Sequence, residues 1–396
     1  MDAITEQNEV PFTIDELFFS RTDSRGIILS GNTVFRRISQ YSWEELFKKP
    51  HNIIRHPDMP KGVFYLLWHF LKQGKPIGAY VKNRAKDGRH YWVFAIATPI
   101  EDGYLSVRLK PSSEFFGVVE NAYKALLAYE KENNVSPKES MEYLFTVLKT
   151  LSFDSYDAFM SVALRMEVVS RNEKLGRHKE NFLSCCEELS QHSTLIVKQT
   201  DSIFTAHEAS QYVPMNLQIR AAQLGEEGRT IGVISQDFSN VSAEILSEIN
   251  TFISSAREVF DKIYEGQFLL CTAGIQSEVV EFFRREHSEN SSKEMELLVT
   301  QLKEYQNKSQ EGWNAIVVKI DKFQEDCKRM RKCAANLEVV RVIGKVNASG
   351  LSKNGLHELL EELGTFQSTI SQSLKEIEKL NSSMRSDTKR VLESLA

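Results

Sequence analysis

Residues 51–60 read His-Asn-Ile-Ile-Arg-His-Pro-Asp-Met-Pro, and this stretch organises the N-terminal third of the chain. It sets cations, a carboxylate and two prolines between an apolar turn and an amphipathic segment. That arrangement suits a grip on a polar, phosphate-bearing ligand beside an apolar pocket, because Arg offers a charged fork and His one or two ring N–H groups. Downstream, Pro60 to Gln73 reads as a helix whose apolar face holds Val63, Phe64, Leu67, Trp68, Phe70 and Leu71, and Gly74 ends it. Upstream, Phe18 to Thr22 and Gly26 to Ser30 read as a hairpin turning through Asp23-Ser24-Arg25-Gly26. Asn32 to Tyr41 has helical spacing at Val34, Phe35 and Ile38, and Ser42 with Glu45 forms a capping box. Three strands follow, at Ile77–Arg84, His90–Pro99 and Tyr104–Leu109, joined by Lys86-Asp87-Gly88 and Glu101-Asp102-Gly103. Two strands, short helices and three strands make an α+β module.

Composition bounds the rest. The chain has 396 residues and a net charge of -5, so no broad cationic field attracts nucleic acid or acidic lipid. The N-terminus has no basic region followed by an apolar run, and about 18 uncharged apolar residues never occur together, which predicts a cytoplasmic protein with no membrane span. Five cysteines at 185, 186, 271, 327 and 333 lack the paired short spacing of a zinc or disulfide framework. No nucleophile elbow, phosphate loop, His-Glu-x-x-His or Cys-x-x-Cys occurs, and no enzyme is expected.

After residue 112 the chain becomes long-periodic and nearly free of Pro. Phe115 to Lys131 is an amphipathic helix, and Ser136-Pro137 starts the next as N-cap and first helical residue. Beyond about 170, apolar residues alternate three and four apart. One run is Leu356, Leu359, Leu363, Phe366, Ile370, Ile377, Leu380, Met384 and Val391; a second is Ile316, Ile320, Phe323, Cys327, Met330, Ala334 and Leu337; a third is Ile234, Phe238, Val241, Ile245, Phe252 and Val259. Breaks at 225–228, 287–292 and 349–352 are nearly evenly spaced, so turns alternate between ends. The fold class expected is an α+β domain over 12–112, a helical linker over 113–165, and an all-α antiparallel four-helix bundle or coiled coil over 166–396. Its hairpin tips fall near 225–229 and 348–353 and its base turn near 287–292.

The strand pair, the helices, "PHNIIRHPDMPK", "LW..LK.GKP" and "VKNRAKDGRHYWV" together resemble the PAS domain of bacterial aerotaxis receptors over about a hundred residues. That resemblance implies FAD held through Arg55, His56 and Asp58, with Trp68 near the ring and Asn32, Asn83 and Tyr91 at other pocket positions. Ile77 stands where such receptors carry tryptophan. Competing readings remain at these positions. Arg55 with Asp58 also suits a surface ion pair at the helix start, Trp68 suits a core position, and His56 suits an axial ligand to haem b. A cofactor-free docking module is a further alternative. The stretch "NLQIRAAQLGEEGRTIGVISQDF" at 216–238 resembles the hairpin tip of methyl-accepting chemotaxis receptors, which implies that Asn216, Ile219, Glu226 and Arg229 meet the chemotaxis histidine kinase and its coupling protein. Arg220 stands where that family has glutamate, and Gln223 where it has arginine. "NLEVVRVIGKVNASGL" at 336–351 faintly echoes the same tip, so one chain, as monomer or homodimer, is expected to supply four helices.

Overall fold

The computed structural model describes residues 8–177, 181–286, 292–348 and 356–395. Five strands, β1 (Phe18–Asp23), β2 (Ile28–Gly31), β3 (Ile77–Arg84), β4 (His90–Ile100) and β5 (Gly103–Leu109), form one antiparallel sheet in the order β2-β1-β5-β4-β3. Between β2 and β3 lie α1 (Thr33–Ser39), α2 (Trp43–Leu46), a 3-10 turn at His51–Ile54 and α3 (Lys61–Lys72). Each start has a local cause. The Asn32 side chain caps α1 by accepting from the Phe35 amide, and Ser42 with Glu45 completes a capping box on α2.

The sheet is covered on both faces, and this explains why β4 is almost continuously apolar rather than alternating. One face turns Ser20, Val81, Asn83, Ala95, Ala97, Ser106 and Arg108 toward α3 and the 51–55 segment. The other meets helices. Among them α4 (Phe115–Asn133) packs Phe116 on Trp92 at 5.2 Å between centroids. The helix α9 (Arg229–Glu286) lays Phe283 on Phe19 at 5.2 Å and Phe268 over Gly78. A Cβ at position 78 would come within 2.9 Å of both Phe268 and Phe94, so glycine there lets the helix approach the sheet.

Helices α5 (Pro137–Thr150) and α6 (Tyr156–Lys174) follow α4. The first has the expected Ser136 cap with Pro at its start. The second runs unbroken through residues 165 and 166, where the linker was expected to end, because its residues are buried on nearly all sides and present no amphipathic period to read. Glu167 of α6 is fully buried and fastens the module. It accepts from the Tyr80 hydroxyl at 2.7 Å, from the Ser112 and Ser113 amides at 2.6 and 3.1 Å, and from the Ser113 hydroxyl at 2.6 Å.

The chain divides into two compact units. The first is Met1–Leu183 with Tyr264–Glu311, and it contains the sheet; the second is Ser184–Ile263 with Gly312–Ala396. In the second unit, α7 (Asn181–Ser210), α8 (Val213–Gln223), α9 up to Ile263, α10 (Ser292–Ala348) from Gly312 and α11 (Leu356–Leu395) form an antiparallel bundle. Antiparallel order follows from the pairings. Glu258 meets Lys319 and Glu248 meets Arg329 across α9 and α10, while Asp321 meets Arg385 and Arg331 meets Glu378 across α10 and α11. His207 and Phe366 join α7 to α11. The second apolar run, Ile316 through Leu337, is buried throughout. The bundle turns at Gly225–Gly228, as a short 3-10 segment between α8 and α9. The turns expected near 287–292 and 348–353 lie outside the described residues but for their flanking helix ends. Among the described residues no helix is long and apolar enough to cross a membrane.

Candidate functional site

A cavity of about 260 Å³ lies between the inner face of the sheet and α3. Helical spacing puts Phe64, Leu67, Trp68 and Leu71 on one wall, and strand alternation puts Tyr104, Ser106 and Arg108 on another. Arg25, Gly26, His51, Asn52 and Arg55 close the remaining side. Its volume sits just under the usual range of about 300–1,000 Å³ for small-molecule sites, so it matches a ring system rather than a whole dinucleotide.

The cavity's electrostatics centre on Arg108, which is 3% exposed. Its Nη2 donates to Ser20 Oγ at 2.9 Å and to His51 Nε2 at 2.7 Å, and its Nη1 reaches the Ser106 carbonyl at 3.4 Å. The Phe18 and Phe35 rings lie beneath the guanidinium at 5.7 and 5.4 Å. No carboxylate is paired with it among the described ion pairs, and burial pulls its pKa down to about 10. Because arginine only donates, His51 must accept at Nε2 and carry its proton on Nδ1. Burial first, and the Arg108 charge second, pull the imidazole down to about 3, so it stays neutral.

Asn83 supplies the second polar feature. It is 3% exposed, lines the cavity, and its Nδ2 has no hydrogen-bond partner. A buried amide donor left unpaired costs about 1–3 kcal/mol, which a ligand acceptor would recover. Arg55 rests on the Phe64 ring at 4.0 Å and donates to the Met59 carbonyl at 3.4 Å. Burial draws its guanidinium pKa down, and the charge of Glu130 opposes that. Trp68 meets Tyr104 edge to face at 5.6 Å.

The structure thus brings Arg55, Trp68 and Asn83 to the cavity wall and leaves Asn32, His56, Asp58 and Tyr91 off it. Asn32 is occupied as a cap, accepting from Phe19 and Phe35 amides and donating to the Leu17 carbonyl. His56 accepts from the Asp58 amide at 3.0 Å and faces His90, so it is not placed as an axial ligand for anything in the cavity. The Asp58 carboxylate is 66% exposed, 3.8 Å from Lys82. Tyr91 is fully buried against Phe18. Arg108 and His51, which sequence reasoning missed, form the polar heart of the site. The sequence shows Tyr104, Ser106 and Arg108 alternating with Leu105, Val107 and Leu109, which marks one face of the strand as polar but does not show that face to be covered. In the bundle, Asn216, Ile219, Glu226 and Arg229 are all exposed around the Gly225–Gly228 turn, with Arg229 and Glu226 paired at 3.2 Å.

Residues 28–106 match the family described as PAS fold. The aerotaxis receptor of Escherichia coli is 43% identical over 130 residues, covering 32% of this chain and 26% of that protein. The biofilm dispersion protein BdlA of Pseudomonas aeruginosa is 23% identical over 289 residues, covering 67% of this chain and 64% of that protein. A PAS domain from Colwellia psychrerythraea aligns at 21% identity and a TM-score of 0.21, over 24% of this chain and 85% of its own. The chain therefore spans about a quarter of one curated relative and just under two thirds of the other. Residues 28–106 are a PAS-fold domain, and long helices follow it.

Proposed function

We propose that this chain is a cytoplasmic signal transducer, not an enzyme, whose PAS cavity holds FAD and passes the flavin's redox state to the helical bundle. The observation that carries this reading is the unpartnered Asn83 amide and the buried Arg108, which has no carboxylate mate among the described residues, at two places in the wall of one apolar-walled cavity. An amide and a cation in that setting fit the polar edge of a flat heterocycle. Phe64, Leu67, Trp68 and Leu71 fit its apolar faces. Arg55 fits phosphate charge outside the ring-sized cavity. A bound flavin supplies a ring that takes up electrons and protons. Arg108 presents a buried positive charge, so added negative charge in the cavity is stabilised there far more than in water. Asn83, at the end of β3, and Arg55, bridged to it backbone to backbone, are placed to transmit a change in that hydrogen bonding to the sheet.

Ser20 and His51 have the separation of a nucleophile and its base, 3.1 Å. Arg108 donates into the same Nε2 and keeps the imidazole weakly basic, which favours a binding role over hydrolysis. The exposed Asn216, Ile219, Glu226 and Arg229 make the turn of the bundle the proposed contact for a chemotaxis histidine kinase and coupling protein. FAD titration of the full chain against an Asn83→Leu variant tests the cavity. Loss of one amide–ligand bond worth about 1–3 kcal/mol predicts affinity weakened roughly 5- to 150-fold. Equal affinity in the two proteins would place the flavin elsewhere. A pull-down with the kinase, comparing wild type with Ile219→Arg, tests the contact.

A further inference from the structure

The helix that walls the cavity begins without a cap of its own. Pro60 precedes α3 and has no side-chain acceptor, so the first amides of the helix need partners from outside. Two other helices supply them. Glu130 of α4 accepts from the Lys61 amide at 2.6 Å, and Ser140 of α5 accepts from the Gly62 amide at 3.0 Å. The Ser140 hydroxyl in turn donates to the same Glu130 oxygen at 2.5 Å. Both acceptors are buried. The Glu130 charge thus lies at the positive end of the α3 dipole, where a carboxylate is stabilised.

Glycine at 62 makes this contact possible. A Cβ there would fall 2.6 Å from the backbone of Ser140 and Met141, so α3 and α5 cross main chain to main chain. Tyr129 and Tyr143 stack at 3.8 Å and hold α4 and α5 together as a hairpin. From this fastened end, α3 runs on to Phe64, Leu67, Trp68 and Leu71 in the cavity wall.

We propose that Glu130 and Ser140 form a latch through which filling of the cavity is read by the α4–α5 hairpin. The proposal rests on the cavity's holding a ligand, as above. A ligand pressing on Phe64, Leu67 and Trp68 moves α3 as a rigid rod. If the hairpin stayed behind, a buried carboxylate would lose its donors and two helix amides their acceptors, a cost that makes the three helices move as one. Arg55 strengthens the link, since it borders the cavity and also feels the Glu130 charge.

Hydrogen exchange on the full chain, with and without FAD, tests the latch. In wild type, FAD slows exchange in 61–72 and also in 126–144, while Glu130→Ala and Ser140→Ala keep bound FAD and the response in 61–72 but lose the response in 126–144. Ser140→Ala leaves the carboxylate in place, so it decides the matter if Glu130→Ala does not fold. An undiminished response at 126–144 in the folded variants overturns the proposal. So does a wild-type protein that carries FAD yet shows no response there. Failure of wild type to bind FAD at all is a different result, removing the flavin reading and the latch with it.

Discussion

Replacing Arg108 with methionine separates what the cavity does for stability from what it does for binding. The guanidinium is buried with neutral hydrogen-bond partners among the described residues, and burial pulls its pKa well below the ordinary arginine value, to about 10. At 1.36 kcal/mol per unit, burial holds this charge at a cost of about 3 kcal/mol. The sign is unfavourable to folding throughout the neutral range, because both folded and unfolded states are protonated there and the folded state holds the charge less well. Relief comes only as pH climbs through about 10 toward the ordinary arginine value, where the unfolded chain binds more protons than the folded one. Methionine has similar length and needs no partner, so Arg108→Met raises the stability of the FAD-free protein by about 1–3 kcal/mol. For a unit of this size that is about 2–12 °C in melting temperature, read by differential scanning fluorimetry. The same variant loses FAD affinity. A variant less stable than wild type, or one that binds FAD as well, would refute the view that Arg108 is kept for a ligand at the expense of the fold.

Other outcomes follow from single contacts. His51 is held neutral in the fold, with its pKa depressed to about 3, so it contributes stability above pH 6.5 that drains away as pH falls toward 3; His51→Asn flattens that part of an acid-unfolding curve. Glu167→Ala leaves two amides, a phenol and a hydroxyl unpaired in the interior and costs about 3–5 kcal/mol by urea unfolding. Gly78→Val drives a side chain into Phe268 and Phe94, costs about 1–3 kcal/mol, and opens 264–286 to protease; an unchanged cleavage pattern would show that α9 does not need this approach.

Much of the module was legible because its punctuation is chemical. Asp23 to Gly26 can only turn, Ser42 with Glu45 can only start a helix well, and Pro137 after Ser136 marks another start; all appear where expected. Burial was harder to read. Tyr156–Lys174 hides apolar and polar residues alike on nearly every side, so its period gives no face, and the expected boundary at 165 passes through it. The stretch from Tyr264 to Ala273 is buried almost all round, polar Gln267 and Thr272 included, because it is packed among the sheet and its neighbours, partners that lie far away in sequence. In the site, residues were chosen for their type in the 51–60 stretch. The structure divides them by direction: Arg55 turns to the cavity, while His56 and Asp58, one and three residues on, turn to the rim of β3. Arg108 was missed because a cation in a strand reads as solvated until both faces of the sheet are known to be covered.

The most direct test of the account is the visible absorption spectrum of the full chain after incubation with FAD and desalting. The account predicts flavin bands that travel with the protein at near one per chain and are lost or weakened in Asn83→Leu and Arg108→Met. A colourless protein that passes the column with all of the flavin left behind would contradict it.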